Sequence, residues 1–211
     1  MKLTKYEHAC FTIEKDGKLI VVDPGAFTTD LGSPENVVAI VVTHEHQDHF
    51  DVNALGALIA HNPNAVIVAH SDITRQLGDA LPTKNVDAGE TISIEPFSLE
   101  FFGGTHAVIH PDFPAVANLG VMIDDEVFYP GDSFVNPEKP VATLALPVGA
   151  PWLKISESMD YVTLLRPKFV FPTHDAVLSD VGKSLPDEMI PQFCNAVGAQ
   201  YKRIDGTTIE I

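Results

Sequence analysis

The stretch THEHQDHF, residues 43–50, places His44, His46, Asp48 and His49 within six positions. Imidazole is a poor core filler and a poor helix former, so packing does not explain the cluster. Neutral imidazole and carboxylate do ligate borderline and hard divalent metals. His44 and His46 are two apart, a spacing that turns both rings to one side of an extended segment. Asp48 and His49 follow a bend and can reach the same space from another side. His44-Glu45 also begins an H-E-x-x-H pattern, but position 48 is Asp, so Glu45 reads as a solvated side chain rather than as the base of a helical zinc site.

More donors appear downstream, each at the end of an apolar run. GGTHAVIH follows SLEFF and offers His106 and His110, YPGDSF follows EVFY and offers Asp132, and PTHDA follows KFVF and offers His174. Strands that end together can deliver such residues to one rim, the convergence that a rigid metal site requires. Asp23 in VVDPG is either a support under the motif loop or a turn former before Pro24. His8 in YEHAC reads as a plain hairpin histidine, and His61 and His70 as structural or exposed. Trp152 and Lys154, in LPVGAPWLK, sit on a Pro/Gly-bounded loop that could line a pocket.

The elements that must position these residues are read from periodicity. Leu3–Glu7 and Cys10–Lys15 read as strands, followed by a hairpin turn at Asp16-Gly17 and the strand KLIVVD. Val37–Val42 (VVAIVV) is a run suited to a strand buried on both faces, and the opening motif leaves its C-terminal end. Val52–His61 reads as a helix, AVIVA as a strand, and Ser71 as the cap of a helix through Leu81. Strands follow at Thr91–Ile94 and Ser98–Phe102, then a hairpin around Asp124-Asp125, a strand at ATLAL, a helix over 156–166 capped by Ser156, the strand KFVFP, a helix over 187–199 and a closing hairpin across Asp205-Gly206. Two β-rich halves, each ending in strand–helix alternation, fit two mixed sheets with helices outside. Pattern alone leaves a doubly wound sheet open as well.

At 211 residues, with 45% hydrophobic and 20% charged, the chain fits one globular domain, 1–211. No apolar run approaches the roughly 18–20 residues that span a bilayer, and the start lacks the stretch of a signal peptide, so a cytoplasmic protein is expected. Cys10 and Cys194 then read as two buried thiols. The formal net charge of −16 repels polyanions and argues against a nucleic-acid groove.

Taken in order, the hairpin ending in VVDPG, THEHQDH, a later His, a GD at a strand end and a final PTH resemble the metallo-β-lactamase-fold hydrolases across essentially the whole chain. The nearest likeness is to the small cytosolic branch similar to ascorbate-6-phosphate lactonase. The resemblance implies an α/β (α+β) fold, a four-layer αββα sandwich, with two metals between the sheets. It implies that His44, His46 and His106 hold one metal, that Asp48, His49 and His174 hold the other, and that Asp132 bridges them. His106 lies nearer the strand end than His110 and is the expected ligand. His110, with Trp152 and Lys154, would face the substrate. The metals would be Zn2+, or else Mn2+ or Fe2+. They would acidify a bridging water, with Asp48 and Asp132 as the catalytic carboxylates orienting the hydroxide.

Such a centre stays cationic inside an acidic chain, which favours a small anionic ester, lactone or phosphodiester. The alternatives are a tRNA-processing or cyclic-nucleotide phosphodiesterase, weakened by the acidity, and a non-catalytic metal-binding regulatory protein, against which the full donor set speaks. No nucleic-acid or membrane partner is expected, and the sequence is compatible with a homo-oligomer.

Overall fold

The computed structural model describes residues 1–211. Runs of β-branched and aromatic residues become strands: β1 (Lys2–Lys5), β2 (Phe11–Lys15), β3 (Lys18–Val22), β4 (Val37–Val42), β5 (Val66–Ala69), β6 (Thr83–Asn85), β7 (Thr91–Ile94), β8 (Phe97–Gly103), β9 (Leu119–Ile123), β10 (Val127–Tyr129), β11 (Thr143–Pro147), β12 (Phe169–Thr173), β13 (Gln200–Tyr201) and β14 (Thr208–Glu210). The helices are α1 (Val52–His61), α2 (Ser71–Leu77), α3 (Ile155–Leu165) and α4 (Asp180–Val197). Two seven-stranded sheets result, in the orders β14-β1-β2-β3-β4-β5-β6 and β13-β12-β11-β10-β9-β8-β7. In each sheet an antiparallel meander is followed by parallel strands.

Alternation along the strands builds the layers. Ile20, Val22, Ala39 and Val41 face inward and meet Leu99, Phe101, Val121 and Tyr129 of the other sheet. Their neighbours Val21, Ile40 and Val42 face outward and pack with Leu55 and Leu58 of α1 and Ile73 of α2. On the other side Phe128, Leu144 and Leu146 pack with Met159 and Val162 of α3 and Ile190 of α4. This is the αββα sandwich, and it explains why β4 and β11 are apolar at consecutive positions. Cys10 and Cys194 are free and belong to opposite outer layers; burial raises their thiols, Cys10 to about 12 and Cys194 to about 11.

The register sets one rim of the sandwich. In the second sheet Gly103 pairs with Leu119, Tyr129 with Val121, and Pro147 with Thr173, so the ends of β8, β10, β11 and β12 share an edge. In the first sheet Lys5 pairs with Phe11 and Phe11 with Val22, which brings the β1–β2 turn to the rim with the ends of β3 and β4. Backbone hydrogen bonds join the two edges: Leu119 N–H donates to Thr43 O at 2.9 Å, and His174 N–H to His8 O at 3.0 Å.

Several boundaries differ from the sequence reading. His70, not Ser71, caps α2, and the helix yields to a 3-10 turn at Gly78–Ala80 because Gly78 adopts φ +55. α3 starts one residue early: Lys154 occupies the cap position, its N–H donates to Glu157 at 2.7 Å, and Ser156 lies inside the helix. α4 begins at Asp180, capped by Ser179, and runs through Pro186 and Pro191. Each proline removes one helical hydrogen bond, which is why pattern alone suggested a start after Pro186. The closing hairpin does not form. β13 pairs with β12 in one sheet and β14 with β1 in the other, so the segment across Asp205-Gly206 crosses between sheets.

That crossing is fastened by charge. Arg203 donates to the buried carboxylate of Asp175, and forks onto Asp187, Nε to Oδ2 at 2.7 Å and Nη2 to Oδ1 at 3.0 Å. Removing one partner of a buried pair strands the other. Arg203→Ala is expected to lose about 3–5 kcal/mol in urea unfolding. Arg203→Lys should recover only part, because an ammonium cannot reproduce the fork.

Candidate metal centre

The motif loop leaves β4 and re-enters structure at α1, whose cap Asp51 accepts from Ala54 N–H at 2.8 Å. Asp23, fully buried after β3, braces both ends of the loop. It accepts from Thr43 N–H at 2.8 Å, from Thr43 Oγ1 at 2.6 Å and from His49 Nδ1 at 2.7 Å. The turn carrying it lies against the motif: a Cβ on Gly25 would stand 2.1 Å from the Asp48 carbonyl. Asp23 is therefore the support that the sequence offered as one of two options.

The ring protons are anchored behind the centre. His106 Nδ1 donates to Ala107 O at 2.5 Å, His174 Nδ1 to Gly149 O at 2.7 Å, and His44 Nδ1 faces Thr43 Oγ1 at 3.1 Å, whose own proton goes to Asp23. These bonds, with the His49–Asp23 bond, fix the Nδ1–H tautomer and turn four Nε2 lone pairs inward. All four Nε2 atoms, and Asp132 Oδ1, are buried without a hydrogen-bond partner in the protein. A buried unsatisfied acceptor costs roughly 1–3 kcal/mol. Five facing one another fit a cation and little else.

Two groups of four can each surround an ion: His44, His46, His106 and Asp132, and His8, Asp48, His49 and His174. Asp132 stands between them. Its carboxylate lies 3.3 Å from His106 Nε2, 3.8 Å from His44 Nε2, 3.2 Å from His49 Nε2 and 2.9 Å from His174 Nε2. Its backbone N–H donates to Asn118 Oδ1 at 2.9 Å, and Trp152 Nε1 donates to Oδ2 at 2.8 Å. A Cβ on Gly131 would stand 2.3 Å from that Asn118 oxygen, and φ there is +64, so glycine is required before Asp132.

All seven residues expected as ligands meet here, with His106 rather than His110. The His110 side chain is 59% exposed and faces Asp112, beside the cavity that His46 and His106 also line. Trp152 does not line that cavity; it orients Asp132. Lys154 is exposed at the cap of α3 and does not line the cavity either. His61 lies on the surface of α1.

His8 departs from expectation. It is fully buried at φ +54. Its Nδ1 accepts from Ala176 N–H at 3.2 Å, so the proton sits on Nε2 and points to Asp48 Oδ2 at 2.9 Å. Burial lowers its pKa to about 4 despite Asp48, which keeps it neutral and a one-proton donor. His8 thus orients Asp48 and presents no lone pair to an ion. Its partners lie 40 and 168 residues away, so no local signal marks it.

Charge follows the same division. Burial, then His49 beside it, holds His44 well below the usual imidazole range. Burial also opposes charge on His49 and His174, but Asp132 outweighs it, raising His49 well above that range and His174 to about 9; in the ion-free protein a proton on Nε2 takes the place that a bound cation would fill. Burial would raise Asp48, yet the His174 ring beside it and the hydrogen bond from His8 keep it well below the carboxylate range.

Two outcomes are expected in zinc titrations against a competing chelator. His106→Ala should lose the ion of its group, while His110→Ala keeps both. His8→Asn, which tolerates positive φ but is too short to reach Asp48, should weaken the Asp48 group about 10–100-fold, as loss of an orienting partner does.

A family model described as "Beta-lactamase superfamily domain" matches residues 2–174. Protein Rv0786c of Mycobacterium tuberculosis is 34% identical over 184 residues, 85% of this chain and 86% of that protein. A UPF0173 metal-dependent hydrolase of Aeropyrum pernix is 29% identical over 206 residues, 82% of this chain and 81% of its own length. Among solved structures, a protein of Parabacteroides distasonis superposes with a TM-score of 0.78 at 22% identity, covering 96% of this chain and 92% of that one. The sandwich, its rim of histidines and these likenesses agree: the chain belongs to the β-lactamase superfamily domain family, with the metallo-β-lactamase fold.

Proposed function

We propose that this chain is a metal-dependent hydrolase of a small ester, lactone or phosphodiester. The observation that carries the reading is the set of five buried, inward-facing acceptors shared between two donor groups around Asp132. The Aeropyrum relative, named as a metal-dependent hydrolase, supports it. His44, His46 and His106 would hold one divalent cation, Asp48, His49 and His174 a second, and Asp132 would touch both. The donors are nitrogen and oxygen only, which suits zinc, manganese or iron. Cations held there would supply Lewis acidity and an acidified water.

The protein's own residues prepare that chemistry. Asp23, Ala107 O and Gly149 O hold the imidazoles in one tautomer. Trp152 and Asn118 hold Asp132, and His8 holds Asp48. Thr43 donates to Asp23 and Ser133 to Pro130 O at 2.9 Å, and both cysteines belong to the outer layers of the sandwich. The cavity beside His46 and His106, about 580 Å³, has the size of a small-molecule site. A net charge of −16 disfavours RNA.

Protein purified without chelator should carry about two equivalents of transition metal by elemental analysis. Asp132→Ala should lower both occupancies, and His44→Ala mainly one. Across a panel of esters, lactones, small phosphodiesters, penicillin and pre-tRNA, the zinc- or manganese-loaded protein should hydrolyse the small substrates only. Activity that survives complete metal removal would overturn the reading.

A further inference from the structure

The cavity beside the metal centre has a wall that is largely apolar away from the histidines. Two lining residues, His46 and His106, belong to the centre; the other ten come from one stretch of the arch between β8 and β9, Thr105 to Val116. The arch is pinned at its base, Gly104 N–H to Asn118 O at 2.9 Å, His106 N–H to Val116 O at 3.0 Å and Ala107 N–H to Asp132 O at 2.8 Å. The segment that carries His106 therefore also builds the wall, so wall and reactive centre keep a fixed relation. Pro111 and Pro114 stiffen it further.

Six of the lining residues are hydrophobic, and none is a lysine, an arginine or a carboxylate. Val108 is 71% exposed, Phe113 61% and Ile109 37%. Three large apolar side chains held open within six residues mark a surface meant to be covered. The arch's one acid, Asp112, does not line the cavity. A phosphate or carboxylate placed against Val108, Ile109 and Phe113 would lose hydration and meet no lysine or arginine; outside the metal centre only the His110 imidazole, which already faces Asp112, could pair with it. Each methylene placed there gains about fourfold in affinity.

We infer that the part of the substrate remote from the reacting bond is an uncharged apolar group of medium length, held by Val108, Ile109 and Phe113. Any charge on the substrate is then confined to the reacting end, beside the histidines. The inference rests on the hydrolase reading of the site and narrows it: a phosphorylated or carboxylated tail is selected against.

A matched pair of esters tests it. p-Nitrophenyl hexanoate and p-nitrophenyl hydrogen adipate share a chain length, but the second ends in a carboxylate. The zinc- or manganese-loaded protein should favour the hexanoate by about tenfold or more in kcat/KM. Phe113→Ser should shrink that ratio, and Leu164→Ser, an exposed apolar residue of α3, should not. Equal or better turnover of the adipate, or an unchanged ratio in Phe113→Ser, overturns the inference. Binding of the inert N-phenylhexanamide and N-phenyladipamic acid, followed by NMR shifts of residues 105–116, reads the wall without turnover. The amide should bind about tenfold tighter or more, with shifts on the arch that Phe113→Ser diminishes. If it binds so while neither ester is hydrolysed, the ester arm of the hydrolase reading fails and the wall assignment stands. If it does not bind at the arch, the wall assignment fails whatever the esters show.

Discussion

Buried imidazoles can face one another only if each ring proton is tied down on the far side. That constraint organises the molecule. His49 needs a carboxylate behind it, His106 and His174 need carbonyls, and His44 needs a hydroxyl whose own proton goes elsewhere. Each such acceptor comes from a different stretch of chain. The sandwich supplies them because the ends of strands from both sheets share one rim.

The rim tolerates little extra volume. Gly25 and Gly131 let backbone approach to distances that no Cβ allows, one against the motif loop and one under the carboxylate between the two donor groups. Asp23 and His8 work from opposite flanks, the first on Thr43 and His49, the second on Asp48. With the two cross-sheet hydrogen bonds, these contacts make the metal centre part of what joins the sheets. Site and sandwich are one piece of packing.

The parts of this arrangement that were legible in the sequence are those with local signatures. His44, His46, Asp48 and His49 declare themselves by crowding at the end of an apolar strand, and Asp132 and His174 by ending one. His106 could be told from His110 by distance from β8 alone. The supports were not legible, because their reasons lie far off in the chain. Nothing around His8 indicates Asp48 or Ala176, and Trp152 gives no sign that its indole serves Asp132. α4 reads as starting at Asp187 because Pro186 looks like a breaker, whereas its cap at Ser179 and its buried face carry it through both prolines. The final strands looked like a hairpin because local turn chemistry says nothing about which sheet each strand will join.

The crossing of the final segment has a consequence for the order in which the molecule is made. Synthesis delivers β1 long before β14, yet β1 gains its outer neighbour only when β14 emerges. Asp175, next to His174, meets Arg203 only then. The donor residues of the motif loop are made long before that, whereas the carboxylate adjoining His174 waits for a partner 28 residues further along. The His174 side of the rim therefore reaches its final packing only after the segment that carries Arg203 has been made.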